Sequence, residues 1–134
     1  MKRILIVDDS AFMRGILKDL LMSQSGENTL SENIELFEAD GKANALKQLK
    51  EVKPDLILLD IVMRESETEG VEFIKEIKDF FNVSKVIMIS SIGQTAILDE
   101  CKKMGIQCYL QKPFEHDQVI AEVNKGLAMK VTPE

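Results

Sequence analysis

Three short apolar runs each end in residues that could do chemistry. Asp8-Asp9 follows Ile4-Leu5-Ile6-Val7, Asp60 follows Leu56-Ile57-Leu58-Leu59, and Ser90-Ser91 follows Val86-Ile87-Met88-Ile89. Unbroken apolar runs of this length read as strands of a parallel sheet covered on both faces. A carboxylate at the end of a buried strand costs free energy unless something cationic meets it. Parallel strands bring their carboxyl ends to one edge, where open sheets bind ligands. The three runs would therefore converge three carboxylates and a hydroxyl. Such an acidic cluster favours a small cation, and Asp60 reads as the reactive centre that the others serve.

The remaining elements must position those ends. A strand is predicted over 3–8 and a helix over 10–22, with Phe12, Met13, Ile16, Leu17, Leu20 and Leu21 at helical spacing. The polar stretch 23–32 reads as a long loop, and 33–38 alternates like an edge strand. A helix over 41–52 precedes the strand 55–60 and an acidic loop over 61–69. A third helix over 70–81 would carry Phe73, Ile74, Ile77, Phe80 and Phe81 on its core face. The strand 85–90, a helix over 94–104, a strand over 107–110 and a helix over 115–129 complete the chain. Strictly alternating strands and helices imply βαβ units and an α/β fold with a parallel sheet. No internal repeat or low-complexity segment interrupts the pattern, so 1–130 reads as a single domain with no output domain.

Composition narrows the function classes. The 134 residues are 45% hydrophobic and 30% charged, which fits a globular domain with a sizeable core. A net charge of −6 argues against nucleic acid or an anionic membrane as partner. Cys101 and Cys108 form no Cys-x-x-Cys pair, so reduced thiols and a cytoplasmic location are expected. No apolar stretch is long enough to span a bilayer.

Asp8-Asp9, Asp60 and Ser90 at strand ends, with Lys112-Pro113 after the last strand, resemble the receiver domain of two-component response regulators. The stretch from Val7 to Arg14, Gly93-Gln94, and Tyr109 through Phe114 look closest to the chemotaxis-type, single-domain receivers. The resemblance implies a doubly wound (βα)5, flavodoxin-like (CheY-like) fold with five parallel strands in the order 2-1-3-4-5. It implies that Asp60 accepts a phosphoryl group from a histidine kinase or a phosphotransfer domain, with Mg²⁺ as cofactor. Mg²⁺ prefers oxygen ligands and keeps several waters. Asp9 and Asp60 are expected to bind it directly and Asp8 through water, and the resemblance adds the backbone carbonyl of Val62. Lys112 would bring a second positive charge and Ser90 a hydroxyl to the phosphoryl oxygens. Ser90, Tyr109, Lys112 and Pro113 would form the switch, with a cis Lys112-Pro113 bond fixing the lysine's direction. Ile92, Gln94, Lys102, Lys103, Tyr109 and Gln111 would line the face whose change a downstream protein reads. A flagellar switch is one such target. The expected assembly is a monomer or weak dimer.

Other readings of the same residues are blander. Asp8-Asp9 could cap the first helix, Lys112 could be a solvated charge, and Ser90 a strand-end hydroxyl. Cys101, Cys108 and the Met and Phe stripes read as core, and His116 as a surface histidine. Among competing functions, a Mg²⁺ phosphatase of the haloacid-dehalogenase type needs an Asp two residues past its nucleophile, where this chain has Val62. A flavodoxin-type cofactor binder needs a phosphate-cradling loop after the first strand, where Asp8-Asp9 would repel phosphate. A phosphorylation-independent interaction module would not need the full acidic set. Two departures from the receiver pattern stand out. Arg64 occupies the usual place of a proline, and Gly70 arrives late, lengthening a loop that carries Glu65, Glu67 and Glu69.

Overall fold

The structure is a computed structural model, describing residues 1–23, 29–30, 32–61, 69–91 and 93–129, with only the backbone of Glu69. Its elements alternate: β1 Lys2–Val7, α1 Ala11–Met22, β2 Ile34–Ala39, α2 Lys42–Val52, β3 Leu56–Asp60, α3 Glu69–Ile77, β4 Val86–Ser90, α4 Thr95–Lys103, β5 Cys108–Gln111 and α5 His116–Ala128. Among the described residues, five parallel strands form one sheet in the order β2-β1-β3-β4-β5. β2 and β5 are thus the edges. β1, β3 and β4 carry the apolar runs, and β3 and β4 are buried throughout.

Side chains alternate between two cores, as the period of a strand requires. Leu5, Val7, Ile57, Leu59, Val86 and Met88 pack with α2, α3 and α4 residues such as Ala45, Leu49, Phe73, Ile77 and Cys101. Ile4, Ile6, Leu56, Leu58, Ile87 and Ile89 pack on the opposite face with Leu17, Leu21, Val119, Ile120, Val123 and Leu127 of α1 and α5. Burying one such side chain stabilises the fold by about 1.5–3 kcal/mol, so this double layer fixes where the strand ends lie. The C-terminal turn of α5 is tied down twice. A Cβ on Gly126 would stand 2.7 Å from Leu56 Cδ1, and Lys85 Nζ donates to the carbonyls of Gly126 and Leu127 at 2.9 and 3.1 Å.

Several expectations are corrected. The helix predicted over 70–81 ends at Ile77, and Phe80 is 61% exposed instead of joining the core. Asn82 opens a short 3-10 turn, Val83–Lys85, accepting from the Ser84 N–H, and this local cap competes with helix extension. Phe12 is 77% and Met22 57% exposed, so the core stripe of α1 centres on Leu17 and Leu21. Asp8 lies just past the end of β1, not within it. The loop residues Arg64, Glu65 and Glu67, together with Val62 and Ile92, fall outside the described residues.

Candidate functional site

The carboxyl ends of β1, β3, β4 and β5 meet at one edge of the sheet. Ile61 N–H donates to Ile89 O at 2.9 Å, carrying the β3–β4 pairing past Asp60, and Lys112 N–H donates to Ser90 O at 2.7 Å. These two bonds set Asp60, Ser90 and Lys112 side by side. Lys112 Nζ donates to Asp60 Oδ2 at 3.0 Å. Asp8, Asp60 and Ser90 are 1%, 5% and 1% exposed, far more buried than such residues ordinarily are. The Lys112-Pro113 peptide bond is cis.

Asp8 is held on most sides. Its N–H donates to Ala39 O at 3.1 Å, and its Oδ1 accepts from Ser10 N–H at 2.9 Å. Oδ2 is buried and has no hydrogen-bond partner. Burial pushes the carboxyl up from 3.8 to about 6; the Ser10 N–H opposes the shift and the Asp60 charge adds to it. Asp9 is half-buried beside them. Among the described residues, no three His, Cys, Asp or Glu side chains draw together as a metal-binding group. The Asp8 and Asp60 carboxyls lie against one another, and Asp8 Oδ2 is buried with no hydrogen-bond donor on it, an arrangement that suits a hard divalent cation.

The capping role open to Asp8-Asp9 falls instead to Ser10, whose Oγ accepts from Met13 N–H at 3.2 Å. Close packing also enters from α3. A Cβ on Gly70 would lie 2.8 Å from Ile61 O and 3.1 Å from Asp60 O, so glycine lets the helix start against the carbonyls of the β3 end. Gly70's presence was legible; its contact with the site was not, because the loop before it hides the distance.

Farther along β5, Tyr109 is half-buried against the α4 core. Its hydroxyl donates to Ile106 O, its N–H donates to Glu122 Oε2 at 3.2 Å, and Lys102 Nζ sits 5.5 Å from the ring centroid. Burial, with Cys101 and Cys108 adding, pushes its phenol up to about 12. Lys102, Lys103 and Gln111 are exposed and Gln94 is half-buried, its Oε1 accepting from Ser91 N–H at 2.6 Å. His116 opens α5, with Nδ1 3.5 Å from Asp117. A residue given no individual role by its position in the sequence, Arg14, donates to the main-chain oxygen of Asp8.

Residues 4–124 match the model of the response regulator receiver domain. The chain belongs to the response regulator receiver family. This receiver is 38% identical to the chemotaxis protein CheY of Bacillus subtilis over 93% of its own length and 97% of that protein's. CheY of Thermotoga maritima is likewise 38% identical, over 92% of this chain and 96% of its own. Sporulation initiation phosphotransferase F of Bacillus subtilis is 30% identical, with 96% of each chain covered. Among solved structures, the receiver domain of NtrX from Brucella abortus superposes with a TM-score of 0.80 at 26% identity, covering 95% of this receiver and 99% of that chain. The flavodoxin-like fold, the strand order and the family expected from the sequence are therefore established. Receivers are signalling domains that generally bind Mg²⁺ at their phosphorylation site. No described helix of this one is long and apolar enough to cross a membrane.

Proposed function

We propose that residues 1–130 act as one phosphoacceptor switch whose acceptor is Asp60. The observation that carries this reading is the buried Asp60 carboxylate held at 3.0 Å by Lys112, beside the unpartnered Oδ2 of Asp8. A carboxylate oxygen of Asp60 attacks the phosphorus of a phosphohistidine on a kinase or phosphotransfer domain. The new O–P bond forms as the P–N bond breaks, and the imidazole nitrogen leaves with its electron pair. Phosphoryl transfer asks mainly for positioning and for positive charge against the phosphoryl oxygens. Asp9, Asp60 and the Val62 carbonyl would hold Mg²⁺, with Asp8 joining through water. When bound, Mg²⁺ would supply charge neutralisation at the phosphoryl oxygens.

Lys112 must release the bare carboxylate as a contact and take up a phosphoryl oxygen, while Ser90 donates its hydroxyl to another. A phosphoryl group carries about −1.5 to −2 charge and more acceptor oxygens than the carboxylate, so it favours one arrangement of these two residues. That choice biases Tyr109 and the face formed by α4, β5 and α5, as a shift between existing states. The reader of that face is a downstream protein in the cytoplasm. The names of the CheY relatives make a chemotaxis pathway the leading assignment, and the resemblance to chemotaxis-type receivers makes a flagellar switch the target to try first. The chain itself is a signalling acceptor that promotes its own phosphorylation and dephosphorylation. The test is incubation with Mg²⁺ and acetyl phosphate, followed by intact mass. One added phosphoryl group in wild type and none in Asp60→Asn is expected. Equal labelling of the two would overturn the assignment.

A further inference from the structure

Asp8 and Asp9 sit where the chain leaves β1, between its end at Val7 and the start of α1 at Ala11. The carbonyl of Asp8 belongs to the peptide bond that joins the two acidic residues. Carbonyls at such exits ordinarily meet water or a turn N–H. Here Arg14 Nη1 donates to it from the first turn and a half of α1. The same guanidinium places Nε on Glu38 Oε1 at 3.0 Å. Glu38 is in turn held from its other oxygen by Lys18 Nζ at 3.0 Å. The Arg14 side chain is only 15% exposed, so the fork is largely withdrawn from competing water. Glu38 precedes Ala39, the residue whose carbonyl accepts the Asp8 N–H.

The peptide planes on both sides of Asp8 are thus anchored to the end of β2, one directly and one through Glu38 and Arg14. The Ser10 N–H fixes one carboxylate oxygen, and the other is left to face the site. We infer that Arg14 is a positioning residue for the acidic pair. It orients the Asp8–Asp9 peptide so that both carboxylates present oxygens to a divalent cation, and Glu38 aims the guanidinium. The role needs a planar fork with two donors in fixed directions. A lysine offers a single point charge and cannot serve Glu38 and the Asp8 carbonyl with the same geometry.

This inference rests on the phosphoacceptor reading, so wild type is measured first. Calorimetric titration of the unphosphorylated chain with Mg²⁺ is compared for wild type, Arg14→Lys, Glu38→Gln and Lys42→Met. The last variant removes a 2.9 Å ion pair between α2 and α3 and controls for loss of a helix-tethering contact. Partners that orient a metal's ligands typically carry a factor of about 10–100 in affinity. Arg14→Lys is expected to weaken Mg²⁺ binding about tenfold at a temperature where thermal scans find it folded, and Glu38→Gln less. Lys42→Met should bind as wild type does. If Arg14→Lys fails to fold, the comparison rests on Glu38→Gln, whose wild-type affinity would then overturn the role. Wild-type affinity in Arg14→Lys, or an equal loss in Lys42→Met, would overturn it as well. A wild-type chain that binds no Mg²⁺ would overturn the site reading itself.

Discussion

Replacing Asp8 by Asn should stabilise the metal-free protein at neutral pH. Asp8 is 1% exposed, and its folded-state carboxyl lies at about 6 against an ordinary 3.8. Burial is the main cause, with the Asp60 charge adding to it. Between those two values the unfolded chain has released this proton and the folded chain still holds it. Stability therefore falls as pH rises through that window, and the full cost is present above it. The gap corresponds to about 3 kcal/mol at about 1.4 kcal/mol per pH unit. At pH 4.5 only about 1 kcal/mol of it has developed. Asparagine does not titrate, and its carbonyl can still accept from the Ser10 N–H. Chemical denaturation in EDTA at pH 4.5 and 7.5 is the assay, since bound Mg²⁺ would stabilise wild type by mass action. The variant should be more stable at pH 7.5 by about 1–3 kcal/mol, a rise in Tm of roughly 4 °C per kcal/mol. The advantage should shrink at pH 4.5. An equal gain at both pH values, or a loss at pH 7.5, would refute the electrostatic argument.

Three further outcomes are expected. Gly70→Ala places a methyl 2.8 Å from Ile61 O and 3.1 Å from Asp60 O, which are backbone atoms that cannot swing aside. It should lower stability by about 1–3 kcal/mol in denaturant melts and slow acetyl-phosphate labelling. Lys112→Ala should still be labelled in Mg²⁺, but its phosphorylated form should bind a target protein poorly, as a pull-down with a protein captured by phosphorylated wild type would report. The receiver resemblance implies that the positions two past the acceptor and two past the strand-end hydroxyl, here Val62 and Ile92, control the water that hydrolyses the acyl phosphate. Since neither side chain can hydrogen-bond a water, Val62→Asn with a polar residue at Ile92 should shorten the phosphoprotein's lifetime in a decay assay. One hydrogen bond, roughly 0.5–1.5 kcal/mol, is worth about one decade or less per position.

The sheet was legible because Ile4–Val7, Leu56–Leu59 and Val86–Ile89 are apolar runs too short for helices and bounded by polar breaks. Their ends located Asp8, Asp60 and Ser90, and the structure buries all three. Helix faces were read less well. Phe12 and Phe80 occur at helical spacing, but spacing does not reveal whether a terminal turn reaches the sheet, and neither does. α3 stops at Ile77 because the Asn82 cap starts a separate turn, a local competition that apolar periodicity cannot register. The Arg14–Asp8 and Arg14–Glu38 contacts were hidden for a different reason. The Arg14–Glu38 contact spans 24 residues from α1 to β2, and it forms because β2 pairs beside β1; Arg14–Asp8 is a side-chain-to-backbone contact over six residues, of a kind apolar spacing does not register.

The proposed switch stands or falls on Asp60 receiving the phosphoryl group. The most direct test is to label the protein with Mg²⁺ and acetyl phosphate, trap the acyl phosphate by borohydride reduction to homoserine, and map the converted position by peptide mass spectrometry. Conversion is expected at Asp60, with Asp8 and Asp9 unchanged and none when Mg²⁺ is removed. Conversion at Asp8, Asp9 or a residue outside this strand-end cluster would contradict it.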